Sequence, residues 1–168
     1  VLRNSVHAGF YHDLLDMCQE MNFELEGLHT ETGPGVLEAA ITVDESMSSA
    51  DKAALFKTFT KVLAQKNELM ATFMAKWSPH YPGQSGHIHM SLLDLDGNNV
   101  FFDGDAEGGI SKLQRHFIAG CQALMPRVLA MVSPTINSYT RLIPGFWAPT
   151  NPTWGIENRT CALRAIGG

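Results

Sequence analysis

Residues Gly83-Gln84-Ser85-Gly86-His87-Ile88-His89-Met90-Ser91-Leu92 constrain this chain more than any other stretch. A glycine-rich loop feeds straight into a period-two run, and alternate side chains of a strand share a face. His87 and His89 are therefore expected to project together, with Ile88 and Met90 turned the other way into a core. The glycines let backbone N–H groups approach a bound anion closely. The histidine pair reads either as two hydrogen-bonded imidazoles or as ligands, so its meaning depends on partners elsewhere in the chain.

Upstream, Phe23 to Glu31 alternates apolar and polar residues, Gly33-Pro34-Gly35 turns the chain, and Val36 to Val43 returns as a second strand. This hairpin is expected to bring Glu31 and Glu38 near each other, with Glu24, Glu26 and His29 on its wet side. Two carboxylates held close repel each other unless a cation lies between them, which points to a hard metal such as Mg²⁺ or Mn²⁺. The other reading is that Glu38 is an exposed strand residue. Flanking the hairpin, residues 4–21 carry apolar positions at helical spacing, with Asn4 or Ser5 as cap. Residues 49–75 do so more strongly, through Leu55, Phe56, Phe59, Val62, Leu63, Leu69, Met70, Phe73 and Met74, with Pro79 and Pro82 beyond them. That stripe reads as core, and the four lysines between 52 and 66 read as a solvated face.

After the histidine strand, Asp96-Gly97-Asn98 makes a tight turn and Val100 to Phe102 pairs back. Residues 103–109 form a polar loop, and 110–132 a second long helix that contains Pro126. Residues 133–139 read as a loop leading to Arg141. Pro144 to Pro149 reads as a flap exposing Phe146 and Trp147, and the chain ends in a strand through Arg164. The fold expected is α+β: a curved antiparallel sheet with helices packed on one face and a concave, polar face opposite.

Charge divides the chain. Residues 1–112 hold 16 carboxylates against 7 lysines and arginines, whereas 113–168 hold Glu157 alone against five arginines and no lysine. The acidic first part disfavours a nucleic-acid partner. An arginine-only tail suits planar, bidentate recognition of carboxylate or phosphate. Three cysteines at unrelated spacings fit neither a disulfide framework nor a zinc site, so a reducing, cytoplasmic compartment is expected. No apolar run has membrane length. The chain has 168 residues and 45% hydrophobic content, enough for one globular unit with a sizeable core. It opens at Val1-Leu2-Arg3 and stops at Ile166-Gly167-Gly168, and both ends are expected to be cuts in a longer protein.

With these pieces assembled, the chain resembles the glutamine synthetase family. The resemblance runs through Glu26-x-x-His29-x-Glu31, Glu38, Gly86-His87-x-His89-x-Ser91, Asn137-Ser138-Tyr139-x-Arg141-Leu142-x-Pro144-Gly145, Ala148-Pro149, and Asn158-Arg159-Thr160 through Arg164. These blocks keep the family's order from about residue 20 to 166. Residues 1–168 then correspond to part of a catalytic domain, without the family's small N-terminal domain and without the catalytic domain's C-terminal end.

The resemblance implies roles position by position. Glu31, Glu38 and His87 fall on metal-ligand positions. Glu26, His89, Ser91, Arg159 and Arg164 fall on the ATP side, Gly83 and Arg141 on the amino-acid side, and Arg141 and Arg159 on the catalytic arginines. The implied reaction joins glutamate and an amine through a γ-glutamyl phosphate, using ATP and Mg²⁺ or Mn²⁺, in rings of identical subunits; the isolated piece is expected to be inactive. Two positions depart from the pattern. Pro82 stands where an asparagine is usual, and Trp147 stands where true glutamine synthetases carry the ammonium-binding glutamate. An indole can pack on an alkyl group or cation but cannot take a proton from ammonium. The expected acceptor is therefore an organic amine or polyamine, as in γ-glutamylpolyamine synthetases. The alternatives are glutamine synthetase proper, a silent structural relative, and a phosphate-binding or kinase module on a related sheet.

Overall fold

The computed structural model describes residues 5–167 and falls into two compact units, Val1–Phe73 and Met74–Gly168. In the first, helix α1 (Ala8–Glu20) buries Phe10, Leu14 and Cys18, spaced four apart on one face. Asn22 in the left-handed region (φ 60) and a Phe23 N–H bond to the Cys18 carbonyl (3.0 Å) close its end. Of the two caps expected for this helix, Asn4 lies outside the described residues.

Strands β1 (Leu25–Thr30) and β2 (Leu37–Ile41) then form the expected antiparallel hairpin. Its turn uses Pro34 followed by Gly35 at φ 74, closed by the Val36 N–H to the Gly33 carbonyl at 3.1 Å, the signature of a type II turn. Helix α2 (Ser46–Lys66) packs on α1 and touches β2. Its cap is Glu45, whose carboxylate accepts from the Met47 and Ser48 amides at 3.0 and 3.2 Å. Those bonds, Met47's first, hold the Glu45 carboxyl below its usual range.

Two readings of α2 are corrected. It stops at Lys66 rather than running to residue 75, because Glu68 turns left-handed (φ 56) and Leu69 N–H reaches the Ala64 carbonyl at 2.8 Å. Its buried line is Thr60 and Ala64, while Leu55, Phe59 and Val62 of the expected core stripe are each more than 40% exposed. The core of this unit comprises Phe10, Leu14, Cys18, Phe23, Val36 and Ala64.

In the second unit, helix α3 (Lys112–Val132) appears where the spacing placed it and contains Pro126. Ser111 caps it, accepting from the Gln114 amide at 3.1 Å and donating its own hydroxyl to the Val100 carbonyl at 2.7 Å. The Asp94–Asn98 turn, with Gly97 at φ 86, brings the Val100 amide to the Leu92 carbonyl at 2.9 Å. Strands β3 (Trp154–Ile156) and β4 (Leu163–Ala165) pair in parallel. Ile110, Ile118 and Ala165 form the core, with Trp154 and Leu163 packed against it.

The α+β class holds, but the single curved antiparallel sheet does not appear: among the described residues there are two two-stranded sheets, one antiparallel and one parallel. The Gly86–Leu92 stretch is likewise not a strand. No ladder pairs with it among the described residues, so nothing covers its apolar side, and Ile88 and Met90 are 79% and 56% exposed rather than in a core. Of residues 133–139, expected as loop, 136–139 fall instead in helix α4 (Ile136–Arg141), capped reciprocally by Thr135 and Ser138.

Ile110 is fully buried whereas Leu113 is half exposed. Ile110→Ala is expected to cost about 2–5 kcal/mol and Leu113→Ala less than about 1 kcal/mol. Urea unfolding checks this; equal shifts in midpoint for the two would contradict the assigned core.

Candidate active site

The residues singled out from the sequence fall into two groups, one in each unit. In the first, the hairpin register pairs His29 with Glu38 and Thr30 with Leu37, and the Glu31 amide bonds the Val36 carbonyl at 2.9 Å. His29, Glu31 and Glu38 therefore lie on one face, with Glu31 and Glu38 as diagonal neighbours, a spacing of roughly 7–8 Å between backbones. Gly27 sits on the same face beneath His29: a β-carbon there would come within 2.6 Å of the imidazole Nε2. Glu26 is the extra residue of a bulge between Leu25 and Gly27, a device that re-aims a side chain out of the strand's alternation. An all-oxygen pair of carboxylates on one hairpin face is the right kind of donor set for a hard divalent cation. Among the described residues no three His, Cys, Asp or Glu side chains are gathered as a metal site.

In the second unit, His87, His89 and Ser91 are exposed on the unpaired stretch after the glycine loop. Gly83 and Arg141, both assigned to the amino-acid side, are in contact. A β-carbon on Gly83 would collide with the Ala75 carbonyl oxygen and Arg141 Cδ, so only glycine lets the arginine stem lie against this loop.

From there the guanidinium turns to the flap. Its Nη1 donates to the Phe146 carbonyl at 2.9 Å and its Nη2 to the Trp147 carbonyl at 3.5 Å. Its Nε is buried without a partner. Burial lowers the Arg141 pKa from its ordinary value, yet a guanidinium stays charged at neutral pH.

The flap is built by local rules. Pro144 and Gly145 (φ 82) make a second turn of the kind seen at Pro34-Gly35, closed by the Phe146 amide to the Ile143 carbonyl at 3.3 Å. Trp147 follows in the left-handed region (φ 56), an uncommon conformation for a bulky residue, and its side chain is 73% exposed. Lys76 Nζ lies 5.4 Å from the centre of the Phe146 ring. The Asn137 amide grips the Lys76 main chain in both directions, donating to its carbonyl at 2.7 Å and accepting from its amide at 2.9 Å.

Arg159 is exposed, and Arg164 sits half-buried in β4 opposite Gly155. Neither makes an ion pair among the described residues.

Phe146 is expected from the sequence as an exposed flap aromatic, whereas Lys76 and Thr160 carry no signal of their own there. Thr160 lines a cavity of about 160 Å³ with Gly145, Trp147 and Ala148. It directly follows Arg159, and Asn158-Arg159-Thr160 also matches a glycosylation acceptor. In the structure the Asn158 side-chain oxygen accepts locally from the Thr160 amide at 2.9 Å and hydroxyl at 2.7 Å.

The sequence matches the family described as glutamine synthetase, catalytic domain, over residues 2–168, and the chain belongs to that family. It is 48% identical over 169 residues to the type-1 glutamine synthetase 2 of Dictyostelium discoideum, covering 100% of this chain and 32% of that protein. It is 38% identical over 166 residues to a glutamate–isopropylamine ligase of Pseudomonas sp, covering 99% and 36%. Among solved structures, a GmaS/ADP complex matches with a TM-score of 0.87 at 29% identity, over 96% of this chain and 39% of that one. The chain spans about a third of the length of the curated relatives it matches.

Lysine carries the same charge as arginine but has no planar fork to span two carbonyls. In Arg141→Lys, amide exchange at Phe146 is expected to quicken by about tenfold with α3 unchanged, as the flap opens locally. Unaltered exchange at Phe146 would show that the arginine does not hold the flap.

Proposed function

We propose that the complete protein carrying this chain is an ATP-dependent carboxylate–amine ligase that joins glutamate to an organic amine. The observation that carries the reading is Trp147: a residue with an indole, not a carboxylate, is among those lining the cavity at the flap whose carbonyls Arg141 bonds. The family resemblance implies an acceptor amine at this flap, and the similarity to a glutamate–isopropylamine ligase supports an organic acceptor.

In this reading Arg141 takes the glutamate carboxylate, with Gly83 keeping the guanidinium stem in place. A γ-carboxylate oxygen attacks the terminal phosphorus of ATP and ADP leaves. The amine nitrogen then attacks the acyl carbon, phosphate leaves with the C–O bond electrons, and the nitrogen sheds a proton. Arg159 and Arg164 face the phosphates and offset the charge that spreads over the phosphoryl oxygens. Glu26, His89 and Ser91 contact the nucleotide. Glu31, Glu38 and His87 would hold Mg²⁺ or Mn²⁺, which when bound supplies Lewis-acid neutralisation of phosphate charge.

The chain is read as the central part of a catalytic domain. In the complete protein we read one curved antiparallel sheet and a ring of subunits in the cytoplasm. Among the described residues no helix is long and apolar enough to cross a membrane.

Glutamine synthetase proper is the second reading, favoured by the 48% identity to a type-1 enzyme. Phosphate release by the full-length protein with glutamate, ATP and a panel of amines separates the two. Turnover with at least one alkylamine is expected to exceed that with ammonium by about tenfold or more in kcat/KM. Faster turnover with ammonium than with every amine would establish the second reading.

A further inference from the structure

Helix α3 is apolar on more sides than its surroundings cover. From Phe117 to Val132 one residue is charged, Arg127, and one carries an amide, Gln122, which donates to the Pro152 carbonyl at 2.6 Å. A helix that is apolar all round belongs in an interior. Yet Ile118 alone in α3 is buried, and Leu124 and Met131 are 56% and 80% exposed.

The uncovered residues form a strip. Leu113, Gly120, Leu124, Val128 and Met131 follow one another at steps of seven, four, four and three, which keeps them on one face of the helix. Gly120 stands near the middle, and a β-carbon there would meet nothing within 4 Å. Glycine inside a helix costs stability relative to alanine, but a bare stretch of backbone between large side chains lets a second helix approach closely. Scattered exposed apolar residues are ordinary, whereas a continuous strip of this length marks a contact.

The course of the chain and its charge indicate the occupant. Strand β4 packs on α3, since Ala165 is 1% exposed and shares a core with Ile110 and Ile118. Gly167 lies against Gly108, where a β-carbon would come within 2.4 Å of the Gly108 carbonyl oxygen, so residue 167 stands beside the start of α3. The chain spans about a third of the length of its curated relatives, which carry ample further sequence to cover the strip. No carboxylate stands between Glu107 and Glu157, and Arg127, exposed beside the strip, makes no ion pair among the described residues. A second copy of α3 would bring only further cations to Arg127, whereas a helix with a carboxylate beside its apolar face complements it.

Resting on the reading above of this chain as the central part of a catalytic domain, we propose that α3 is the docking strip for an amphipathic helix of the same polypeptide, drawn from the segment that follows residue 168. That helix crosses α3 at Gly120, sets its apolar face on Leu113, Leu124, Val128 and Met131, and presents a carboxylate to Arg127.

Gly120→Leu in the full-length protein tests this by the sign of its effect. Leucine is the better helix former, so on an open face the substitution raises the melting temperature. Beneath a closely packed helix the added side chain has no room, and a fall of about 5 °C or more is expected. Photo-crosslinking from Met131→p-benzoylphenylalanine identifies the cover: capture, within one chain, of a peptide that follows residue 168 is expected. Capture of a peptide from any other part of the chain, of a second copy, or of nothing would overturn the proposal, as would a melting temperature raised by Gly120→Leu. An intact mass showing that the purified protein ends at residue 168 would remove the reading on which the proposal rests. A longer chain in which position 131 captures nothing would remove this inference alone.

Discussion

The Arg141 guanidinium is held between a glycine and two main-chain carbonyls, and the placement of residues 143–148 depends on that arrangement. Its stem lies against Gly83, where any side chain would displace it, and its fork reaches the flap through two N–H donors. The flap has little apolar anchorage of its own: Phe146 and Trp147 are both largely exposed. Charge-assisted bonds to backbone carbonyls, the Lys76–Phe146 contact and a Pro-Gly turn stand in for a core. The same packing leaves the arginine's Nε buried without a hydrogen-bond partner.

Parts of this arrangement were legible in the sequence because local chemistry determines them. Gly33-Pro34-Gly35 specified a hairpin turn, Asp96-Gly97-Asn98 another, and the spacing from Ile110 to Val132 a helix; each is present. The end of α2 was not legible, since the left-handed position that stops it is occupied by Glu68 rather than glycine. Helix α4 was missed because Thr135 and Ser138 cap it without the glutamate or glutamine that usually marks a capping box. The failure at Ile88 and Met90 has a different origin. Alternation in a sequence predicts a strand only where a neighbouring strand runs alongside it, and among the described residues no ladder runs along this stretch, Leu92 alone taking a bond from the Val100 amide at its end.

The candidate residues show the same division. Gly83, Arg141 and Trp147 were named separately from the sequence, and hydrogen bonds and close packing join them within one unit. Glu31 and Glu38 share a hairpin face as the turn required. The roles proposed for Arg159 and Arg164 rest on the family pattern, neither making an ion pair among the described residues. Thr160 could not be singled out, because only the folded loop shows its hydroxyl proton tied to Asn158.

The central claim is that an indole at position 147, in place of a carboxylate, directs the enzyme to organic amines. The most direct measurement is the ratio of kcat/KM for ammonium to that for isopropylamine in the full-length protein and its Trp147→Glu variant. A carboxylate restores a group able to bind and deprotonate ammonium, so the account predicts a rise in that ratio of about tenfold or more. A ratio unchanged by the substitution, with both substrates affected alike, would contradict it.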